Sequence, residues 1–203
     1  METNNCPNCG DSLPVSFLAA KMATCPSCKT TLIIDGPHVQ NAGSSGEMHD
    51  APALFKLGQS IRAKGVEYRI LGHARFDYGR GWWDEFWVQG SEGDTWISVD
   101  EGDVVLQRAL RKADHPENVK PPKLGEHVIA NYRSYRVTET GTATCIAVRG
   151  VFPEILIVGS VHQYVNCAGK HGLLLSGEFS EGAPDWYFGA WLDPFELTVD
   201  VQK

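Results

Sequence analysis

Cys6-Pro7-Asn8-Cys9-Gly10 and Cys25-Pro26-Ser27-Cys28-Lys29 are two copies of one chemical device. Two cysteines three positions apart grip one ion from a tight turn. Proline after the first cysteine and a small or flexible residue after the second suit that turn. Fifteen residues separate Cys9 from Cys25, within the spacing of a four-cysteine zinc site. Four thiolates fill a tetrahedral Zn2+ and leave no position for substrate, so the expected ion is structural. So short a piece cannot bury enough apolar surface alone, and the metal must contribute to its folding.

A second set of residues joins carboxylates to aromatic rings. Trp82-Trp83-Asp84-Glu85 and Asp100-Glu101-Gly102-Asp103 form two such clusters, and Glu178, Glu181, Asp185, Trp186 and Tyr187 repeat the mixture near the end. Carboxylates beside indole faces suit an organic cation, through ion pairing and cation–π contact. Trp83, Asp84, Glu85, Asp100 and Glu101 are the candidate ligand-binding residues. The competing reading puts the rings in the core and the acids in turns. Two carboxylates across a cleft would also make a general acid and base, but no substrate-shaped motif accompanies them and no catalytic residue is assigned. Cys145, in Ala143-Thr144-Cys145-Ile146-Ala147-Val148, reads as a small hydrophobe of a buried strand. Cys167 sits in a turn-like stretch and is expected to be the more reactive of the two.

The elements that must position these residues read as strands. Short runs of Val, Ile, Tyr and Trp are broken by Gly-containing turns every 8 to 12 residues or so. Val104–Arg111 is the only stretch that also fits a helical period. One hairpin can be drawn, with Trp87 opposite Trp96 and Glu85 opposite Ser98 around the turn Gly90-Ser91-Glu92-Gly93-Asp94. The expected class is all-β: a zinc ribbon over residues 1–35, a flexible linker over 36–53, and a duplicated β domain of two small packed sheets or partly open barrels. Its first repeat spans 54–111, a connector 112–122, and its second repeat 123–203. Lys56-Leu57-Gly58 recurs as Lys123-Leu124-Gly125 and Tyr68-Arg69-Ile70 as Tyr135-Arg136-Val137, both displaced by 67 positions. Gly90-Ser91 matches Gly159-Ser160 at a displacement of 69. The Gly/Ser-rich linker predicts few contacts between ribbon and β domain, which should fold without it.

Formal net charge is −7, from 18 basic and 25 acidic side chains. That balance argues against tracking a phosphate backbone and favours cationic ligands or basic partner surfaces. Only Lys21 and Lys29 are basic between Met1 and Gly36, so a protein-docking or structural ribbon is expected rather than a nucleic-acid finger. No apolar run reaches the roughly 18–20 residues of a membrane helix, and the start lacks the features of a secretory signal. A cytoplasmic location follows as an expectation, in keeping with paired cysteines that bind metal.

Gly58 with Tyr68-Arg69-Ile70, Trp83-Asp84-Glu85-Phe86-Trp87, and Trp96-Ile97-Ser98 before Asp100-Glu101-Gly102 together resemble a bacterial family, the domain of unknown function numbered 4178. Tyr135-Arg136-Val137, Arg149-Gly150, Leu175-Ser176-Gly177-Glu178 and Trp186-Tyr187-Phe188-Gly189 extend the resemblance to about Leu57–Leu197. It implies a zinc ribbon in front of the domain, as many members have, and no established activity. It also implies a setting, since such proteins tend to be encoded beside polyamine-synthesis enzymes, small membrane proteins and membrane-remodelling stress proteins. Two functional expectations result. The first is a non-enzymatic adaptor that docks a protein partner in a bacterial envelope-stress or membrane-maintenance system. The second is a binding or catalytic domain for a polyamine-like cation. A filled core at Trp83, Glu85 and Asp100 would favour the first, and a cleft joining them the second.

Overall fold

Apolar and aromatic residues at alternate positions let an extended strand bury one face, and the β-branched and aromatic types used here suit that surface. The computed structural model describes residues 5–14, 17, 20–36, 38–48 and 53–199. Among them it contains fourteen strands and short 3-10 turns, so the expected all-β class holds. The N-terminal part supplies β1 (Met22–Thr24), β2 (Thr30–Asp35) and β3 (His38–Ser44). Next come β4 (Ser60–Ala63), β5 (Val66–Asp77), β6 (Trp82–Gly90), β7 (Thr95–Asp100) and β8 (Asp103–Ala109). The remainder is β9 (His127–Ala130), β10 (Arg133–Phe152), β11 (Val161–Ala168), β12 (Leu173–Phe179), β13 (Asp185–Leu192) and β14 (Thr198–Val199). The Val104–Arg111 stretch is therefore strand, not helix. No helix among the described residues is long and apolar enough to cross a membrane.

Eight strands form a ring in the order β5-β6-β7-β8-β13-β12-β11-β10, and β10 pairs in turn with β5. Every pairing in it is antiparallel, so closure leaves these strands no open edge. The partly open barrels expected of the two β segments thus join into one. The drawn hairpin has the expected register, with Trp87 opposite Trp96 and Glu85 opposite Ser98.

Successive side chains of a strand point to opposite faces, and the ring uses both. One face packs outward. Phe86, Val88, Ile97 and Val104 meet Phe55, Ile61 and Tyr68 on the β4 side. Val165, Cys167, Leu175 and Trp186 meet Val128 and Tyr135 on the β9 side. The other face looks into the ring. Tyr68 and Tyr135 play like parts in the two outer clusters, each lying over a glycine at the end of the neighbouring strand or just past it. A Cβ on Gly90 would sit 2.5 Å from the Tyr68 ring, and one on Gly169 would sit 2.8 Å from that of Tyr135. The glycine that corresponds to Gly90 is thus Gly169, displaced by 79 positions, while the two tyrosines are displaced by 67. Gly159, the partner expected from sequence, stands instead in open space at φ +89°. The extra residues prolong β10 past its pairing with β11 and form the loop 153–160.

The ribbon is not loosely tethered. Residues 38–44 of the expected linker form β3 on the edge of β2, and Val148 N–H and the Arg149 guanidinium donate to the Ser45 carbonyl at 2.9 and 2.6 Å. Nearly every β3 side chain is exposed, so backbone hydrogen bonds rather than apolar burial hold it, and its composition read as linker. On the other side β1 pairs with the end of β10, Met22 opposite Phe152 and Ala23 opposite Val151. Met22 is fully buried in one cluster with Phe76, Trp96 and Phe152. The expectation of few contacts between ribbon and β domain is corrected accordingly.

Candidate functional site

The cysteine pairs sit in two matching knuckles. Gly10 N–H donates to the Cys6 carbonyl at 2.8 Å and Lys29 N–H to that of Cys25 at 3.0 Å. Gly10 and Lys29, each following the second cysteine of its pair, turn the chain at φ +76° and +62°. All four Sγ atoms lie within 4.8 Å of one another, with Cys6–Cys28 at 3.7 Å and Cys9–Cys25 at 3.9 Å. Metal–sulfur bonds of about 2.3 Å at tetrahedral angles place sulfurs roughly 3.8 Å apart. A disulfide needs about 2.05 Å. Cys6, Cys9, Cys25 and Cys28 therefore have the positions to hold a metal ion. The Thr30 hydroxyl, 3.3 Å from Cys28 Sγ, and the Asn8 amide at 3.5 Å lower the Cys28 thiol to about 5, while Cys9 is raised to about 12, its hydrogen bond from the Asp11 backbone outweighed by the neighbouring thiols and burial.

The second site is the lumen of the ring. A cavity of about 170 Å³ is lined by mostly alternate residues of β6, β7, β8, β10, β11, β12 and β13. Five carboxylates face it, from Glu85, Asp100, Asp103, Glu139 and Glu178, and among the described residues its lining includes no lysine, arginine or histidine. Trp83 forms part of an aromatic wall, with ring centroids 5.3 Å from Phe76, 5.8 Å from Tyr78 and 5.2 Å from Tyr164. The ring architecture explains the convergence, because residues of even spacing on seven strands all point to one axis.

Hydrogen bonds hold the acids without neutralising all of them. Glu85 Oε1 accepts from the Ser98 hydroxyl at 2.8 Å and from the Trp83 indole at 3.1 Å. Its Oε2 is buried and has no partner at hydrogen-bonding distance among the described residues, although the Gln107 side chain also favours the ionised form. Burial pushes Glu85 up to about 7, and nearby Glu154 adds to the effect. Glu178 is pushed to about 8 by burial and by the charges of Glu154, Glu85 and Asp185. Asp100 is raised by burial and by its neighbours Glu101 and Glu139. Glu139 accepts from the Tyr164 hydroxyl at 3.1 Å and the Asn166 amide at 2.9 Å. A cation entering this lumen would replace mutual repulsion by attraction.

Of the residues proposed from sequence, Trp83, Glu85 and Asp100 come together here. Asp84 and Glu101 do not line the cavity. Asp84 lies on the opposite face of β6, where Arg75 donates to both its oxygens at 2.7 and 3.0 Å and His73 Nε2 lies 2.8 Å from Oδ1. Burial pushes its carboxyl up, but these partners outweigh burial and hold it below the usual range. Glu101 is an exposed turn residue at φ +48°. Trp186 is 1 % exposed and packs edge-on against Phe179 in an outer cluster. Cys167 lies fully buried in β11 rather than in a turn, and burial raises its thiol to about 12, which disfavours the reactive thiolate. Asp84→Asn should cost about 3–5 kcal/mol in urea unfolding, the usual effect of breaking a buried ion pair, and leave the lumen intact. An unfolding midpoint equal to the parent's would contradict that placement.

Residues 56–194 match the family model described as a domain of unknown function, DUF4178. Uncharacterized proteins of Mycobacterium bovis and Mycobacterium tuberculosis are each 30% identical over 141 residues, covering 66% of this chain. The match spans 64% of each of those relatives' lengths. No solved structure matches.

Proposed function

The chain belongs to the DUF4178 family, whose description specifies no activity, and we propose that its ring binds a small organic amine in the lumen, with the four-cysteine ribbon holding a structural zinc ion. The observation that carries the reading is a cavity with five carboxylates, no basic group among the described residues and a tryptophan–tyrosine wall. The buried, unpartnered Oε2 of Glu85 supports it, since an ammonium would supply the missing donor. A filled core at Trp83, Glu85 and Asp100 would have favoured the adaptor reading. An open cavity stands there, so the binding reading leads.

Size and spacing narrow the ligand. A cavity near 170 Å³ admits a molecule of about benzene's bulk. The acids fall into two tiers: Glu85 and Glu178 with nearby Glu154, and Asp100 with Asp103 and Glu139. Glu85 lies opposite Ser98, and Asp100 is two positions further along β7, roughly 7 Å away at about 3.4 Å per residue. Five zigzag single bonds of about 1.5 Å separate the nitrogens of 1,4-diaminobutane by roughly 6 Å. A short diamine, or one end of a longer polyamine, fits both tiers.

Tryptophan fluorescence titrated with 1,4-diaminobutane should change saturably, with affinity roughly tenfold or more above that of butylamine. A response that never saturates, or equal affinity for both amines, would remove the two-tier reading. Binding should also release protons. In the empty lumen Glu85 and Glu178 hold protons up to about 7 and 8, and a bound ammonium favours their ionised forms. Affinity should therefore rise between pH 6 and 8.5, by about tenfold for each carboxylate ionised per pH unit at most. Calorimetry in two buffers of different ionisation enthalpy reads the protons directly, and a pH-independent affinity would sink the assignment of these two groups.

A further inference from the structure

The loop between β10 and β11 has the lumen on one side and the ribbon on the other. On the lumen side Glu154 and Leu156 border a hollow of about 20 Å³ together with Glu85, Trp96, Glu178 and Tyr187. On the other side Leu156 and Ile157 face Met22, Thr31 and Ser44 of the ribbon sheet across a second hollow of about 150 Å³. Several contacts join ribbon and floor. Leu156 N–H points to Met22 Sδ at 3.2 Å, and Lys21 N–H donates to the Phe152 carbonyl at 3.1 Å. The Thr24 hydroxyl donates to the Val148 carbonyl at 3.4 Å. Lys21 also brings its positive charge to bear on Glu154. These contacts come from β1 and from Lys21 just before it, and β1 ends immediately before Cys25.

We propose that the four-cysteine site controls the lumen: the metal-held ribbon clamps residues 151–158 as the floor of the amine site, and losing the metal releases that floor. The ribbon's own buried cluster consists of Cys6, Cys25 and Leu32, two of which are ligands. Without an ion, the packing of Cys6, Cys25 and Leu32 is lost, and Met22 with the short β1–β10 pairing is left to hold the ribbon on the floor. The ring closes through Cys145–Gly150 of β10 on β5, a six-residue stretch with its own strand pairing that the N-terminal part only adds to, at Val148 and Arg149. Metal loss therefore acts on the floor and spares the ring. By linkage, amine binding tightens the metal by the same factor that the metal tightens the amine.

Hydrogen exchange read by mass spectrometry on the full chain, zinc-loaded against chelator-stripped and kept reduced, tests the clamp. Residues 22–44 and 151–158 should lose protection together, by about tenfold or more, while β6, β7 and β8 keep theirs. Retained protection at 151–158, or equal loss throughout the ring, overturns the proposal. Met22→Ala leaves all four cysteines in place and should loosen 151–158 with zinc still bound. Unchanged protection there overturns it as well. Stripping should also weaken 1,4-diaminobutane roughly tenfold, an arm that alone rests on the amine reading. Equal affinity with and without zinc overturns control of the lumen. A protein that releases its floor but binds no amine in either state keeps the clamp and loses the amine reading.

Discussion

Replacing Glu85 and Glu178 together by glutamine should make the empty protein more stable at pH 8 and remove its amine binding. The two effects share one origin. In an unfolded chain glutamate ionises near 4.5, whereas the folded lumen holds these two carboxyls at about 7 and 8. A folded value raised above the unfolded one means stability is fully present below about 4.5 and lost as pH rises through 7 and 8. Glutamine fills nearly the same volume and carries no charge to desolvate, so the variant escapes that loss. Its Tm at pH 8 should exceed the parent's by roughly 5 °C, taking about 2–4 °C per kcal/mol for a chain of this size. At pH 4 the two proteins should melt together. Charged hydrogen bonds contribute about 1.5–3 kcal/mol each, so losing two should weaken 1,4-diaminobutane by a hundredfold or more. A variant that melts lower than the parent at pH 8 would show these carboxylates to be structural. One that binds amine like the parent would place the site elsewhere.

The same residues show how far the sequence could be read. The hairpin register followed from Trp87 and Trp96 with a short glycine turn between, and the structure has it. The cluster of Cys6, Cys9, Cys25 and Cys28 was legible because it needs few residues at fixed local spacing. Asp84 was misassigned because adjacent residues on a strand point to opposite faces. Glu85 enters the lumen, so Asp84 cannot, and nothing local distinguishes the two until the inner face is known. Tyr164, Asn166 and Glu139 were missed for a related reason. Tyr164-Val165-Asn166-Cys167 alternates polar and apolar residues, and in an open sheet the polar face would meet water. Only ring closure turns that face toward a cavity, and closure depends on the β5–β10 pairing between residues about seventy or more positions apart. Position 73 against 149 has no local signature.

The linker and the glycine match failed through long-range effects of another kind. β3 buries almost no side chain, so no hydrophobic pattern marks it, and its hydrogen bonds to β2 were invisible in composition. Matching Gly90 to Gly159 rested on a shared Gly-Ser pair. The glycine that meets the physical need is Gly169, because only a residue without Cβ lets the Tyr135 ring approach so closely. The residues that displace it are those that build the floor between lumen and ribbon.

Cys25→Ser should abolish metal binding at stoichiometric levels, from one zinc per chain in the parent. Cys25 is fully buried and Cys6 is 2 % exposed, and the other member of their cluster is Leu32. A serine hydroxyl ionises far less readily than a thiol and is a harder ligand, so three thiolates would be left with an open position. Structural zinc sites contribute on the order of 10–16 kcal/mol of binding free energy at pH 7, nearly all of it coupled to folding. Losing one ligand should therefore weaken the ion by at least about a hundredfold and unfold the knuckles with it. Replacing Cys145 and Cys167 by serine is the matched control. Both lie buried in strands of the ring, β10 and β11, apart from the four-sulfur cluster, and their loss should leave one zinc per chain. Elemental analysis of the dialysed proteins decides between them. Full zinc in the Cys25→Ser variant, or its loss in the Cys145 and Cys167 variant, would move the metal away from Cys6, Cys9, Cys25 and Cys28 and leave the ribbon to be held by its hydrogen bonds alone.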